Sequence, residues 1–400
     1  MAEDSLLQRA EALSDRLVEW RRDLHRHPEL GFEEHRTGAF VASRLGELGL
    51  EVKTGLAGTG VVGILRASPV GDKGNKESKK GKAILLRADM DALPIQEVSG
   101  REYGSTVDGR MHACGHDGHT SMLIGAATLL VEQRQQLQRD VVFCFQPAEE
   151  GGGGAERMIA EGVLDLADVG SAYALHLWSP LAAGSVAVRS GPAMAAQDEF
   201  RARVVGRGGH GALPHTALDP IIAAAQAIVA LQAIVSRSID PVEAAVVTVG
   251  SLHAGDAPNV IPHDALLAGT LRAFDAGVRQ RLRDRVTEVL EGSVRAAGCS
   301  VELELIEGYP AVINAPEAVE RVRRAAPALF GSANVFEPAP MAAAEDFSYF
   351  LERRPGAFIL LGAGNEGRGI TAPHHSPEFD IDESALPLGT ALLARLALQD

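Results

Sequence analysis

One ten-residue stretch of the chain concentrates side chains that can bind a metal ion or act as nucleophiles. Met111 to Thr120 contains a cysteine, three histidines and an aspartate, and it leads directly into an apolar segment. A thiolate and an imidazole at the Cys114-x-His116 spacing can reach one metal ion. A helix that begins near Thr120 would also favour the ionised thiol through its dipole. Three interpretations remain open at this point: a metal site, a nucleophilic Cys–His pair and a buried structural cluster.

A second stretch places two carboxylates beside a run of glycines. Glu149 and Glu150 precede Gly151 to Gly154 directly. Adjacent side chains at the end of a strand can diverge, so one carboxylate could bind metal while its neighbour faces a substrate. The glycines would let backbone and substrate approach closely. A metal-dependent hydrolase needs such a carboxylate to take a proton from water and pass it to the leaving group. The alternative is an acidic turn before a helix N-terminus.

Four short apolar segments indicate a buried, mainly parallel sheet that would position these side chains. The predicted strands are Ala83–Leu86, Val141–Phe145, Ala172–Leu175 and Ala357–Leu361. In such sheets ligands bind beyond the carboxyl ends of the strands. Residues that can bind metal or transfer protons follow these strands: Asp89 and Asp91, Glu149 and Glu150, His176, and His374 and His375. We therefore expect one site at this edge of the sheet.

The pattern changes between about Val186 and Leu305. Alternating strands and amphipathic helices follow one another there in the order βαββαβ, which is typical of a ferredoxin-like module. The predicted fold class is α/β. It consists of a mainly parallel-sheet domain, residues 1–186 and 307–400, into which an α+β domain, residues 187–306, is inserted.

The candidate metal ligands outnumber those of a closed structural site. They are Cys114, His116, Glu150, His176 and His375. Five ligands exceed the four of a tetrahedral structural zinc site and suit two metal ions with open positions for water. A metal-bound thiolate is also a poor candidate for a free nucleophile.

Composition restricts the classes of protein that fit. The 400-residue chain has a formal net charge of −15, which argues against nucleic acid and anionic membranes as partners. The polar segment from Ser68 to Lys82 is locally basic but lacks aromatic residues, so we interpret it as a solvated loop. The apolar run from Ile221 to Val235 is too short to span a bilayer. Met1 to Asp15 has no apolar region of the kind a secretion signal needs, and three cysteines are too few for a disulfide framework. We expect a cytoplasmic protein.

The motifs in their order resemble the amidohydrolase branch of the aminoacylase/carboxypeptidase family of metallopeptidases, which includes hippurate hydrolases and auxin–amino acid conjugate hydrolases. The matching segments are Leu24–Gly31, Arg87–Pro94, Met111–Asp117, Gln146–Gly154, Leu175–Trp178, Gly208–His215, Asn259–Pro262, Gly269–Arg272, Ala344–Phe347 and His375–Pro377. The resemblance implies that the five candidate residues bind metal, that Glu149 is the general base and acid, and that Asp91 is a further catalytic residue. His375 fits the family pattern better than His374 does.

The resemblance also assigns roles in the inserted domain, which it identifies as a lid and dimerisation domain. His210 matches a histidine that polarises the scissile carbonyl, in its own or a neighbouring subunit. Asn259 and Arg272 match positions that hold the free carboxylate of the substrate, for which a guanidinium group is well shaped. The remaining histidines of the motifs, among them His119, are expected to support the site rather than bind metal. A homodimer through the inserted domain is implied.

The sequence therefore predicts a metal-dependent amidohydrolase that cleaves N-acyl amino acids or similar amide conjugates to a carboxylate and an amino acid. The expected cofactors are two divalent metal ions, with zinc, manganese, nickel and cobalt all compatible with the donors. The alternatives are a carboxypeptidase or dipeptidase on the same scaffold and a catalytically silent binding module.

Overall fold

The structure is a computed structural model that describes residues 3–68 and 81–399. The chain divides into two compact units. The first comprises Met1–Gly191, Ile313–Ala339 and Tyr349–Asp400, and the second comprises Pro192–Val312 and Pro340–Ser348. Most of the predicted loop from Ser68 to Lys82 lies outside the described residues.

The described residues form the following helices and strands. The helices are α1 (Glu3–Ala12), α2 (Ser14–Arg26), α3 (His35–Glu47), α4 (His116–Glu132), α5 (Gly154–Ala160), α6 (Pro220–Ser238), α7 (Ala276–Ala296), α8 (Pro316–Ala325), α9 (Pro327–Phe330), α10 (Ser348–Arg353) and α11 (Ala385–Leu398). The strands are β1 (Glu51–Leu56), β2 (Gly60–Leu65), β3 (Gly81–Asp89), β4 (Arg139–Gln146), β5 (Val169–Ala182), β6 (Val186–Ala187), β7 (Gly191–Met194), β8 (Ala196–Val205), β9 (Gly209–His210), β10 (Ala245–His253), β11 (Val260–Ile261), β12 (Asp264–Ala273), β13 (Ser300–Glu307), β14 (Val312–Asn314), β15 (Val335–Phe336) and β16 (Gly356–Gly364).

The first unit is built on an eight-stranded sheet in the order β1-β2-β4-β3-β5-β16-β6-β15. Its four central strands, β4, β3, β5 and β16, run parallel to one another. Every residue of β16 is buried, as continuous apolar strands covered on both faces must be. The predicted α/β class with a mainly parallel sheet is confirmed, and the carboxyl ends of the central strands meet at one edge.

Helix α4 is the central helix of the first unit. All its residues from His116 to Leu130 are buried, and it packs against α2, α11 and β3. It begins at His116 and not near Thr120, so the predicted start is wrong by one turn. Gly115 precedes the helix with a φ of 94°, a left-handed conformation that glycine adopts without strain, and the chain can therefore turn into the helix four residues early.

Strand β5 is also longer than its apolar core suggested. It continues to Ala182, so His176 lies within the strand and not at its end, opposite Leu360 of the parallel neighbour β16. His176, Ser179 and Pro180 interrupt the apolar run after Leu175, so the sequence pattern did not reveal this extension.

The second unit has the predicted order of elements, β8-α6-β10-β12-α7-β13. Its antiparallel sheet runs in the order β10-β12-β8-β13, which is ferredoxin-like. Buried side chains of α6 and α7, such as Leu231 and Leu290, pack with the apolar face of this sheet. Helix α6 reaches 19 residues with a mean hydropathy of 1.5, so it has the length and composition that could cross a membrane, contrary to the expectation from its apolar run. Core helices often meet the same criterion.

Candidate metal centre

Three donor atoms meet where α4 begins and β5 passes. Cys114, His116 and His176 each place one potential ligand atom within 4.8 Å of the others. The Cys114 Sγ lies 3.5 Å from the His176 Nε2, and all three side chains are buried. Cys114 and His116 are only two residues apart in the sequence, whereas His176 lies in strand β5, 62 residues after Cys114.

Hydrogen bonds to the backbone orient both imidazoles in the same way. The His116 Nδ1 lies 2.8 Å from the Asp91 carbonyl oxygen, and the His176 Nδ1 lies 2.6 Å from the Leu177 carbonyl oxygen. A carbonyl can only accept, so Nδ1 carries a proton in each ring, and Nε2 is the nitrogen through which each ring could bind a metal ion. The buried His116 Nε2 makes no hydrogen bond within the described part of the chain. This is the arrangement that metal-binding histidines use.

The charges around this group favour a cation. Burial alone would lower the pKa of His116, but Asp89 and Asp91 raise it to about 10. Burial raises the pKa of the Cys114 thiol well above its usual range, and Glu150, Glu149 and Asp89 raise it further. Burial and these carboxylates therefore oppose the helix dipole, which favours the ionised thiol. A thiolate here needs a cation among the carboxylates, which also argues against a free Cys nucleophile.

A second group of donors adjoins the first and shares Cys114 with it. Cys114, Glu150 and His375 lie within the same 4.8 Å limit, and the His375 Nε2 is 3.1 Å from Glu150 Oε1. The hydrogen bond to Glu150 raises the pKa of His375. His375 has a φ of 63° and donates its backbone N–H to the Ala113 carbonyl at 2.8 Å, which ties it to the Cys114 loop. The structure thus brings all five predicted ligands into two adjoining groups.

His374 points elsewhere. Its ring packs on Trp178 with the centroids 4.5 Å apart, and its Nε2 accepts the Ser179 N–H at 3.3 Å. Burial lowers the pKa of His374 to about 3, so the ring is neutral and acts as an acceptor and a packing group. Of the adjacent pair, it is His375 that lies with the other donors.

Glu149 and Asp91 lie beside the same donors. Glu149 is buried and belongs to a third group with His116 and Glu150. Asp91 receives the His116 Nδ1–H at its carbonyl, and its Oδ2 accepts the Glu150 N–H at 3.0 Å. Asp91 therefore holds one residue of each ligand group through hydrogen bonds, and Glu149 is the buried carboxylate next to them.

The predicted substrate-binding residues belong to the second unit. His210 lies in β9 opposite Val260 of β11; its ring is exposed and its Nδ1 accepts the Ala212 N–H. The Asn259 carbonyl accepts the Gly211 N–H at 2.9 Å, so Asn259 and His210 are neighbours across this short ladder. Arg272 is a half-buried residue of β12, and burial lowers its pKa against the opposing effect of Glu199 and Asp198.

His119, which was expected to support the site and not to bind metal, links strands β3 and β5. Its Nδ1 lies 2.6 Å from Asp89 Oδ1, and its Nε2 accepts the Leu177 N–H at 2.8 Å. A carboxylate can only accept, so Nδ1 donates and both ring nitrogens are occupied. His119 therefore holds the β5 backbone next to His176 instead of offering a lone pair to a metal.

A buried ionic network that the sequence did not reveal supports the start of α4. Arg21 is fully buried and donates to Asp117 at 2.9 Å, to Asp380 at 2.8 Å and to Glu383 at 3.2 Å. His25, one turn further along α2, lies 2.8 Å from the same Asp117 carboxylate. The only sequence signal was the four-residue spacing of Arg21 and His25, which places both on one helix face.

Comparison with known proteins identifies the class to which this fold and site belong. The model of the protein family described as peptidase family M20/M25/M40 matches residues 85–399 of this chain. The chain therefore belongs to this family, and it is a metal-dependent hydrolase of amide or peptide bonds. The resemblance inferred from the motifs is confirmed.

Several relatives cover nearly the whole chain. "N-acetyl-L-cysteine deacetylase" of Bacillus subtilis is 41% identical over 374 residues, 94% of this chain and 85% of that protein. "Thermostable carboxypeptidase 2" of Saccharolobus solfataricus is 39% identical over 391 residues, 97% and 96% of the two chains. A solved Bacillus subtilis structure described as a dinuclear metal-binding peptidase has a TM-score of 0.82 and 34% identity, covering 97% of this chain and 98% of that one.

Proposed function

We propose that this enzyme hydrolyses the amide bond of N-acyl amino acids or similar conjugates, with Glu149 as general base and acid. The observation that carries the proposal is the buried Glu149 carboxylate beside two adjoining groups of metal donors. Glu149 takes a proton from the attacking water and later returns it to the departing nitrogen. Relatives named as a deacetylase of N-acetyl-L-cysteine and as "IAA-amino acid hydrolase ILR1-like 4" of Arabidopsis thaliana, 40% identical over 387 residues, support this substrate class.

Two divalent metal ions fit the donors. Cys114, His116 and His176 would hold one ion, and Glu150 and His375, with Cys114 in reach of both groups, would hold the other. The thiolate and imidazoles favour zinc, cobalt or nickel, and the carboxylate admits manganese. When bound, the metals would polarise the amide carbonyl and lower the pKa of a coordinated water. Asp91 keeps His116 and Glu150 in place through its hydrogen bonds to both.

Residues of the second unit complete the proposal. Arg272 and Asn259 bind the free carboxylate of the amino acid, and His210 stabilises the oxyanion that forms during attack. We also propose a homodimer through this unit. Its exposed apolar side chains, which include Ile222, Val229 and Leu252, support such a contact. The sparse use of cysteine, three in 400 residues, is in keeping with a cytoplasmic enzyme.

A carboxypeptidase or dipeptidase is the second candidate, because a carboxypeptidase is among the relatives that match over nearly the full chain. A panel of acetyl- and benzoyl-amino acids tested beside dipeptides, with the metal-loaded protein, separates the two. Faster cleavage of dipeptides would favour the peptidase. A metal-loaded protein that cleaves neither class would favour a silent binding module.

The role of Glu149 is tested by Glu149→Gln, with Glu156→Gln on the exposed face of α5 as the control. We expect Glu149→Gln to lower kcat by about 10²- to 10⁴-fold at unchanged metal content, and the control to retain activity. Full activity of Glu149→Gln would refute the assignment. Activity that persists after a chelator has removed the metal ions would instead support Cys114 as a nucleophile.

A further inference from the structure

The motif from Leu24 to Gly31 carries none of the proposed site residues, yet the loop that follows it lies against the site. Leu30 forms a β-bridge with Ala92, and the Glu29 carbonyl accepts the Ala92 N–H at 2.8 Å. At Gly31 the backbone comes so close to the segment before Glu149 that a Cβ would sit 2.9 Å from the Ala148 Cβ. Only glycine allows this approach, which brings the next residues of the loop to the peptide that precedes Glu149.

Glu34 makes the specific contact. Its side chain is fully buried, its Oε1 accepts the Ala148 N–H at 2.8 Å, and its Oε2 accepts the Thr59 hydroxyl at 2.6 Å. Burial raises the pKa of Glu34, and the nearby charge of Asp91 adds to this effect, while the bonds from Thr59 and Ala148 oppose it. A buried carboxylate is costly unless donors surround it, and here both oxygens have one.

The peptide that Glu34 holds is in an unfavourable conformation. Ala148 has a φ of 52°, a left-handed conformation that is strained for a residue with a Cβ and persists only where the surroundings impose it. On the other side of Glu149, Asp91 Oδ2 accepts the Glu150 N–H at 3.0 Å. The backbone on both sides of Glu149 is therefore tied to a carboxylate, Glu34 before it and Asp91 after it.

We propose that Glu34 is a positioning residue that sets the direction of the Glu149 carboxylate by holding the Ala148 peptide in its left-handed conformation. The inference rests on the role proposed for Glu149. Glu34 belongs to none of the groups of metal donors found among the described residues. Because Glu34 acts on Glu149 through the backbone, a substitution of Glu34 must lower kcat, which reports the chemical step, and must leave KM almost unchanged.

The test compares Glu34→Ala, Glu34→Gln and Thr59→Val. Glu34→Ala removes both acceptors. Glu34→Gln keeps one acceptor oxygen for the Ala148 N–H, and its amide can donate to the Thr59 hydroxyl. Thr59→Val is the matched control, because it removes a donor to Glu34 but leaves the bond to Ala148. Tryptophan fluorescence shows that each variant is folded, and metal analysis shows that each is loaded to the wild-type ratio.

The first readout is hydrogen–deuterium exchange of residues 146–152 in the metal-free protein, which requires no activity. We expect Glu34→Ala to speed exchange in this segment by at least about tenfold, since the Ala148 N–H loses its buried acceptor. Thr59→Val is expected to leave it near the wild-type rate. Unchanged exchange in Glu34→Ala would overturn the proposal.

The second readout is the division of the effect between kcat and KM in the metal-loaded enzyme. A misplaced general base is expected to lower kcat by about 10- to 100-fold in Glu34→Ala with KM within about twofold, and Glu34→Gln is expected to recover much of the loss. The proposal is overturned if the loss follows metal content, if it falls on KM alone, or if Thr59→Val loses as much. Failure of the role proposed for Glu149 can be distinguished from failure of the role proposed for Glu34. An active Glu149→Gln would refute the first, whereas the hydrogen–deuterium exchange of Glu34→Ala tests the second without any measurement of activity.

Discussion

Replacement of Arg21 by methionine tests whether the buried ionic network holds the first unit together. The guanidinium is fully buried, and its contacts to Asp117 and Asp380 are 2.9 Å and 2.8 Å long. Methionine fills much of the same volume but removes the guanidinium from the Asp117 carboxylate, which is itself fully buried and keeps its contact with His25. Removal of one member of a buried ion pair typically costs about 3–5 kcal/mol, because the remaining charge stays desolvated. We expect Arg21→Met to lower the free energy of unfolding by this amount.

The neighbouring Arg22→Met is the matched control. The Arg22 side chain is 39% exposed and forms a partly exposed ion pair with Glu383, so its loss is expected to cost at most about 1 kcal/mol. Both tryptophans, Trp20 and Trp178, lie in the first unit, so fluorescence-detected urea unfolding reports on that unit alone. A difference between Arg21→Met and Arg22→Met smaller than about 1 kcal/mol would refute the reasoning, since it would mean that the buried carboxylates find other compensation.

Three further outcomes can be measured. His119→Ala removes the link between Asp89 and the β5 backbone and is expected to weaken metal affinity about 10- to 100-fold in a chelator titration, whereas His253→Ala in the second unit should leave it unchanged. Hydrogen bonds from His25 and from the backbone outweigh burial and lower the pKa of Glu97 to about 2, so its stabilising effect is present above about pH 4.5 and is lost as the pH falls towards 2. The stability difference between wild type and Glu97→Gln should therefore shrink between pH 5 and pH 3 in urea unfolding; a constant difference would contradict this. Under the proposed function, Arg272→Gln is expected to raise KM for N-acyl amino acids by about tenfold with a smaller change in kcat, and an unchanged KM would remove Arg272 from the substrate carboxylate.

Local patterns in the sequence were sufficient for the class of fold and for the residues that cluster. Continuous apolar strands such as Val141–Phe145 belong to sheets covered on both faces, and the polar residues after them must then meet at one edge. Glu149 and Glu150 follow directly from this reasoning, whereas Cys114 and His116 were found from their two-residue spacing. The βαββαβ order of the second unit could also be predicted, because apolar residues alternate with polar ones in its strands and recur every three to four residues in its helices.

Boundaries were less predictable than the elements themselves. Helix α4 begins at His116 because Gly115 takes up a left-handed conformation, and β5 continues past His176 as far as Ala182. Neither feature follows from local hydrophobic period. A helix start depends on a single backbone torsion, and the end of a strand depends on whether a neighbour is there to pair with it.

The sequence by itself determined the fold class, the donor types and the edge of the sheet at which they gather, since these depend on residue chemistry and short-range spacing. Only the tertiary structure decided how each group is used. The two ring nitrogens of His119 are occupied by Asp89 and Leu177, whereas the His116 Nε2 has no hydrogen-bond partner among the described residues. Arg21 is buried against distant carboxylates, and Glu34 is buried against a distant backbone N–H group. Hydrogen-bond partners that come from remote parts of the chain set these roles, and no local pattern records them.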